Sequence, residues 1–584
     1  MKKASNWISR LPALLSVLLF SVLAAVKKPL YILNDDLQIQ AILSGSYTGR
    51  PDLHTVYLRA PLSFIVSFLY RLFPECPWFG LLLCGTFALC AYLFLQRCTE
   101  LWLKSASDGG AEPAKRAVVL REVPAALLCG WAMLLPFLAG ELLLPHYTMA
   151  AACAGAAGLF LLMTAPQQAK PREKTRAVIA ALLLLLLCDQ LRSQVFYMLC
   201  PFLGLAALYR FLLLPDAAER RQTIAQMLPV CIAAAAVWLA LFGLDRLAYA
   251  GEDWQAFRKL NAARTRLYDY TLVWESEEAK AYYRSLGVSE AAYPLYRHFD
   301  LLPDPAADTA RMDAMADFEE PSRAASKMQK FRNVIYDLRV RTLGLSGKVP
   351  YGWLLLALGA GGTVVVLRQK KYRLLLPLFG CMAGHFLIYG WLLWRGRMPE
   401  RVTDSLYQIC IVFLLAVLWK AAGRQRWLLP VAALLCLPVA VSAWMKMQAD
   451  TQIQSSVNRQ QDVIYSYVSE YPERLFLMET YTAVNRTVSA GCADASDGNV
   501  LLLGGWLYGS PLQREKLQRF GYTKVQELFA GGGAYYVCRR DVGLRPAQLQ
   551  DFLREQYGTQ AVQLVQECVL QAGETVFEIY RLEG

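Results

Sequence analysis

Residues Lys27–Arg59 read KKPLYILNDDLQIQAILSGSYTGRPDLHTVYLR. An apolar run, Leu11–Val26, precedes them behind the basic start MKKASNWISR, and a second, Pro61–Phe73, follows. Asp35 and Asp36 stand side by side where the first run should leave a membrane. Carboxylates held against a bilayer are costly, so such a pair marks either a helix end facing water or a working site. The pair is read as the mouth of a membrane-embedded active site, with the polar turn SGSYTGRPD (residues 44–52) beyond it.

The rest of the chain supplies the frame. Of 584 residues, 56% are hydrophobic and the mean hydropathy is +0.29, too apolar for a soluble enzyme of this length. The net charge of +13 does not indicate nucleic acid as a partner, because Lys and Arg gather in short gaps between apolar runs. That pattern sets membrane orientation. The 15 cysteines show no paired metal-type spacing, and most lie inside apolar runs as small hydrophobes. Cys492, Cys538 and Cys568 fall in the polar tail.

A crossing helix needs about twenty apolar residues. Runs near 11–33, 77–97, 123–144, 147–165, 177–190, 194–213, 225–245, 351–367, 374–394, 405–419 and 427–446 predict about eleven spans. Alternate gaps hold the basic residues: Lys2, Lys3 and Arg10; Arg97, Lys104, Lys115, Arg116 and Arg121; Lys170, Arg172, Lys174 and Arg176; Arg210, Arg220 and Arg221; Arg368, Lys370, Lys371 and Arg373; Lys420, Arg424 and Arg426. The positive-inside rule puts them in the cytoplasm, so the N-terminus is expected inside and the C-terminus outside. Pro61–Phe73 is too short to cross. A crossing there would invert every later loop, so it reads as a helix lying in the interface.

The external parts are then the loop 34–76, several tight turns, the segment 246–350, and the tail 447–584. Residues 1–446 form the expected membrane module. The 246–350 segment reads as helices broken at Gly287, Pro294, Pro303 and Pro305. Its aromatic residues argue for order. The tail reads as a small α/β domain: strands at Arg474–Thr480, Asn499–Leu503, Ala534–Cys538 and Thr575–Tyr580, helices at Leu512–Phe520 and Leu544–Tyr557. Gly504-Gly505 after a strand reads as a glycine turn rather than a nucleotide motif.

The tight turns on the outer face carry His146, Asp189 with Arg192, and Arg395, Arg397 and Arg401. Acids with arginines on one face suit a phosphate-linked substrate. A carboxylate takes a proton from an attacking hydroxyl, and arginines hold the departing phosphate. Each residue also has an ordinary reading. Arginines at span ends snorkel to headgroups. Asp189 and Arg192 pair across their hairpin, and His146 hydrogen-bonds a helix end. Three arginines on an outer loop run against the positive-inside trend.

Taken together, NDDLQIQAILSG after a first span, APLSFIVSFLYRLFP as a juxtamembrane helix, and a Pro-Trp start to the second span resemble the GT-C superfamily of membrane glycosyltransferases. The chain is also similar to uncharacterised multi-span proteins of Gram-positive anaerobes with Asn-Asp-Asp and Arg-Met-Pro-Glu-Arg segments. The resemblance implies a polytopic α-helical membrane protein in a GT-C-like arrangement, in a bacterial plasma membrane. It implies inverting transfer of a sugar from a polyprenyl-phosphate carrier to an outer-face acceptor, which is a cell-envelope glycan, a lipid or a protein. Asp35 matches the first acid of the family motif, as base or metal ligand, and Asp36 the second. Some members use a divalent metal (Mg or Mn) and others do not. Arg192, Arg395, Arg397 and Arg401 are the candidate phosphate ligands, with Asp189 and His146 beside them. Two rivals stand: a flippase of lipid-linked glycans, and a non-catalytic membrane protein displaying an external binding domain. A flippase calls for mid-span charges and internal repeats, of which the chain shows few and none.

Overall fold

Long runs of Leu, Ala and Val with charges confined to their ends dictate helices, because a bilayer leaves backbone groups no partner but one another. The computed structural model describes residues 2–32, 34–107, 115–165, 171–214, 216–318, 327–344, 349–423, 427–483, 486–493 and 498–584. Leu33, Lys170, Arg424 and Arg426 lie outside the described residues. The helices up to the long loop are α1 Lys2–Val26, α2 Asn34–Ser44, α3 Ala60–Leu72, α4 Trp78–Ser107, α5 Lys115–Glu141, α6 Tyr147–Thr164, α7 Pro171–Leu191, α8 Ser193–Leu212 and α9 Ala217–Ala248. The loop holds α10 Glu252–Thr265, α11 Glu277–Ser285, α12 Tyr293–His298, α13 Thr309–Ala316 and α14 Lys327–Leu343. Then follow α15 Tyr351–Arg368, α16 Leu375–Arg395, α17 Glu400–Ala422 and α18 Leu428–Glu470.

Among the described residues nine helices are long and apolar enough to cross a membrane: α4, α5, α6, α8, α9, α15, α16, α17 and α18. The other two expected spans are also helical. In α1 the apolar part is Arg10–Leu23, and α7 carries Lys174, Arg176 and Asp189 within its length. The chain is a multi-pass membrane protein. α6 and α17 form its centre, each 89% buried along its span. The AAACAGAAG run of α6 explains this, since small side chains let neighbouring helices approach closely.

α3 is a 13-residue helix, as the interfacial reading expects. Phe64, Ile65, Phe68 and Leu72 are exposed along it, while Ser63, Val66, Ser67 and Tyr70 are buried. An apolar stripe turned outward at that spacing suits the headgroup boundary.

The expected limit between 446 and 447 falls inside α18, which runs unbroken for 43 residues. Its polar second half, with no glycine or proline to stop it, carries the helix out of the membrane part. The tail adds β1 Phe476–Met478, α19 Thr480–Ala483, β2 Val500–Leu502, α20 Pro511–Arg519, α21 Val525–Ala530, β3 Gly532–Arg539, α22 Pro546–Tyr557, β4 Gln563–Ala572 and β5 Thr575–Glu583. The sheet order is β2-β1-β3-β5-β4. β1 is parallel to β2 and β3, and β5 is antiparallel to β3 and β4.

The long loop and the tail are one packed unit. Leu267, Tyr283, Leu295, Met312 and Met315 of the loop share a core with Leu477, Leu501, Tyr536, Phe552 and Leu582 of the tail. Gly504 lies at their seam, where a Cβ would run into the carbonyl oxygen of Phe299. Gly505, at φ +87°, completes the turn that the sequence suggested. Gly504→Ala therefore destabilises the external unit by about 1–3 kcal/mol, the usual cost of overpacking. The shift is read as a lower unfolding temperature and faster proteolysis of the loop.

Candidate active site

The first turn of α2 presents Asp35 and Asp36 to the ends of three membrane helices. His146 is the N-cap of α6, Arg192 the N-cap of α8, and Arg401 sits in the first turn of α17. All three helices start at this end of the bundle, so their N-termini and these side chains meet on one face.

The two acids have different surroundings. Asp36 is fully buried. Its Oδ1 accepts the backbone N–H of Tyr147 at 3.1 Å. His146 Nδ1 accepts the N–H of Thr148 at 2.8 Å, so the proton of the neutral ring sits on Nε2, 3.8 Å from Asp36 Oδ2. Burial pushes the Asp36 carboxyl well above its ordinary value. The Tyr147 N–H opposes this and the neighbouring Asp35 adds to it. Burial likewise holds His146 well below the usual imidazole value, helped by Arg401 and Arg192. The bond from the Tyr147 N–H to Asp36 ties α2 to the start of α6, with His146 facing the same carboxyl.

Asp35 keeps 14% of its side chain open and lies 3.7 Å from Arg401 Nη2. Burial raises its carboxyl, and Arg401, Arg192, Arg264 and Arg397 oppose the rise. Arg192 donates to Tyr147 Oη at 2.7 Å and lies over the rings of Tyr57 and Tyr147, at 4.9 and 5.2 Å. Its remaining N–H groups are positioned by stacking rather than by a carboxylate. Arg397 is paired with Asp269 in the π-helical turn Arg266–Thr271. Arg395 is exposed and lies over Tyr270 and Trp391, so it does not join the group.

Asp189 does not join it either. It pairs with Arg59 Nη2 at 3.1 Å and accepts from Gln190 Nε2, rather than bridging to Arg192 across the hairpin. Arg59 Nη1 reaches Asp245 Oδ2 at 3.0 Å, and Asp245 Oδ1 accepts the N–H of Ala60 at the start of α3. Arg59 thus ties α3, α7 and α9 together in a buried triad. Its role had no local sequence signal, since its partners lie 130 and 186 residues away. Arg264 was also missed. The run ARTRLYDY reads as the surface of an external helix, yet Arg264 is buried over Phe299 and acts on Asp35.

Asp35 and Asp36 do not fit a divalent metal. Among the described residues no three His, Cys, Asp or Glu side chains converge as a ligand set. Asp36 already accepts from Tyr147, and four arginines around Asp35 would repel a cation.

Two of the cavities at this face bear on the site. One of about 120 Å³ is lined by His146, Arg401, Glu400, Asp404, Lys446 and Asp450. The other, about 410 Å³ and largely apolar, runs between α1, α4 and α5 past Phe20, Leu81, Ala88, Leu138 and Leu142. Glu141 lines both.

Fold and site together define a multi-pass membrane protein with an acidic pair beneath several arginines on one membrane face. No protein family's profile matches the chain, and no curated protein does. Among solved structures the chain is similar to the crystal structure of ArnT from Cupriavidus metallidurans bound to undecaprenyl phosphate. Identity is 12%, coverage is 96% of this chain and 97% of that one, and the TM-score is 0.41. It is similar also to the apo state of ArnT, at 12% identity, 99% and 98% coverage and a TM-score of 0.40.

Proposed function

We propose that the chain is a GT-C-type glycosyltransferase that moves a sugar from a polyprenyl-phosphate carrier to an acceptor hydroxyl at the outer face of a bacterial plasma membrane. The observation that carries this reading is Asp35, partly open at the membrane face and set among Arg401, Arg192, Arg264 and Arg397. In the proposed step Asp35 takes the proton of the acceptor hydroxyl. The freed oxygen attacks the anomeric carbon, whose bond to the phosphate oxygen breaks with inversion. The phosphate leaves as an anion held by arginine N–H groups. Arg192 and Arg401 are the best placed to hold it, because Arg397 is already committed to Asp269. The apolar groove between α1, α4 and α5 suits the isoprenoid next to that phosphate. The basic gaps support an N-terminus in the cytoplasm and an external unit outside the cell. A cell-envelope glycan, lipid or protein would reach Asp35 from beneath that unit.

The test is transfer from labelled polyprenyl-phosphate sugars by the protein in membranes. Arg192→Gln and Arg401→Gln each remove a charged hydrogen-bond donor and weaken transfer by about ten- to a hundredfold, whereas Arg395→Gln stays near wild type. Equal losses at all three positions would contradict the assigned phosphate ligands.

A further inference from the structure

At the far end of the bundle from Asp35 lies another cavity, of about 510 Å³. It opens where α4, α6, α8 and α17 end. α17 gives the separation: from Arg401 to Lys420 it rises about 28 Å at 1.5 Å per residue, close to the thickness of a bilayer's hydrocarbon core. The cavity therefore belongs to the opposite membrane face and has no part in the chemistry at Asp35.

Its walls are charged in one sense. Among the described residues that line it, Arg97, Lys104, Lys371 and Lys420 stand against the carboxylate of Glu100, which Arg97 Nη1 holds at 2.9 Å. The charges acting on Lys420 are all positive: Lys371, Lys104 and Arg210. Some of these groups serve the fold. Arg97 bonds the hydroxyl and carbonyl of Thr164, and Arg210 bonds the carbonyls of Leu162 and Ala165 at the end of α6. Lys371 Nζ donates to the carbonyls of Ala421 and Lys420 at 2.9 and 3.1 Å. Cations at helix C-termini are ordinary. These bonds also fix the cations in place around a space.

Lys104 and Lys420 are the pair whose removal leaves those helix ends bonded, since the bond to the Lys420 position uses its backbone carbonyl. Burial pushes the Lys371 ammonium below its usual value. Beneath the charges the floor is apolar, formed by Met163, Tyr209, Leu213, Ala416 and Trp419.

We infer that this cavity is a phosphate site, built for the phosphate group of an anionic amphiphile. Lys104 and Lys420 bind the phosphate while the apolar floor takes the adjoining hydrocarbon. Lysines suit it as strongly charged donors that need no fixed fork geometry. A basic pocket between membrane helices with an apolar floor matches the headgroup region of an anionic phospholipid.

The test uses purified full-length protein, stripped of lipid in neutral detergent and titrated with phosphatidylglycerol or phosphatidylcholine. Binding is followed by native mass spectrometry. Phosphatidylglycerol binds the wild type more tightly than phosphatidylcholine. In the Lys104→Gln/Lys420→Gln double variant its Kd rises by about thirtyfold, the loss expected for two cations. Inorganic phosphate added to the wild type separates the sources. Competition means that the phosphate alone is recognised, and its failure means that the lipid is needed. A wild type with no preference between the two lipids would overturn the site, without recourse to any variant. A double variant that binds phosphatidylglycerol as the wild type does would overturn it too. Neither result bears on transfer at Asp35.

Discussion

Asp35→Asn lowers sugar transfer by about 10²- to 10⁴-fold, the range for losing a positioned general base. Expression and unfolding temperature stay near those of the wild type. The substitution removes a charge that is partly open and raised by burial, and it leaves the amide able to bond the same arginines. The pH profile gives a second readout. A base must be ionised, and burial raises the Asp35 carboxyl, so the rate climbs with pH through a value above that of an exposed aspartate. Asp35→Asn abolishes that rising limb. Asp36 has a different role, which Asp36→Ala tests. Its side chain is fully buried, bonds the Tyr147 N–H and faces His146, so its loss loosens the contact between α2 and α6 rather than removing a base. Transfer that persists in Asp35→Asn at the wild-type rate would remove Asp35 from the reaction.

Arg59→Ala destabilises the membrane part by about 3–5 kcal/mol, because it leaves two buried carboxylates without their counter-charge. Asp189 and Asp245 are nearly inaccessible, and Asp245 also accepts the Ala60 N–H at the start of α3. The expected result is a strong fall in the unfolding temperature in detergent, with poor membrane yield. The triple change Arg59→Met, Asp189→Asn, Asp245→Asn recovers much of the loss, since it removes the stranded charges along with the cation. If Arg59→Ala unfolds at the wild-type temperature, the triad does not hold α3, α7 and α9 together.

The contrast between Asp35 and Arg59 marks what the sequence could and could not reveal. Hydropathy marks the spans because lipid forces apolar runs, and the runs themselves are local. Asp35 and Asp36 stood out because two adjacent acids at a membrane edge are rare. The shortness of Pro61–Phe73 was enough to mark α3 as a helix of 13 residues. The strands at residues 476–478, 500–502, 532–539 and 575–583 were visible as apolar runs. β4, QLVQECVLQA, was not, because it pairs only with β5 as an edge strand and its many polar side chains face water. Long-range ionic partners leave no local mark. Asp189 and Arg192 are close in sequence and suggested a pair. The structure instead gives Asp189 to Arg59 and sets Arg192 on the rings of Tyr57 and Tyr147. The joint core of the loop and the tail was equally hidden, since each alone reads as a separate external element.

The central claim is that the face around Asp35 breaks a sugar–phosphate bond. The direct measurement uses purified wild-type protein in lipid nanodiscs with a panel of polyprenyl-phosphate sugars, labelled in the sugar, and an envelope extract as acceptor source. The account predicts that at least one donor is converted to free polyprenyl phosphate, with the label appearing on an acceptor in inverted anomeric configuration. If every donor remains intact on incubation, the claim is contradicted.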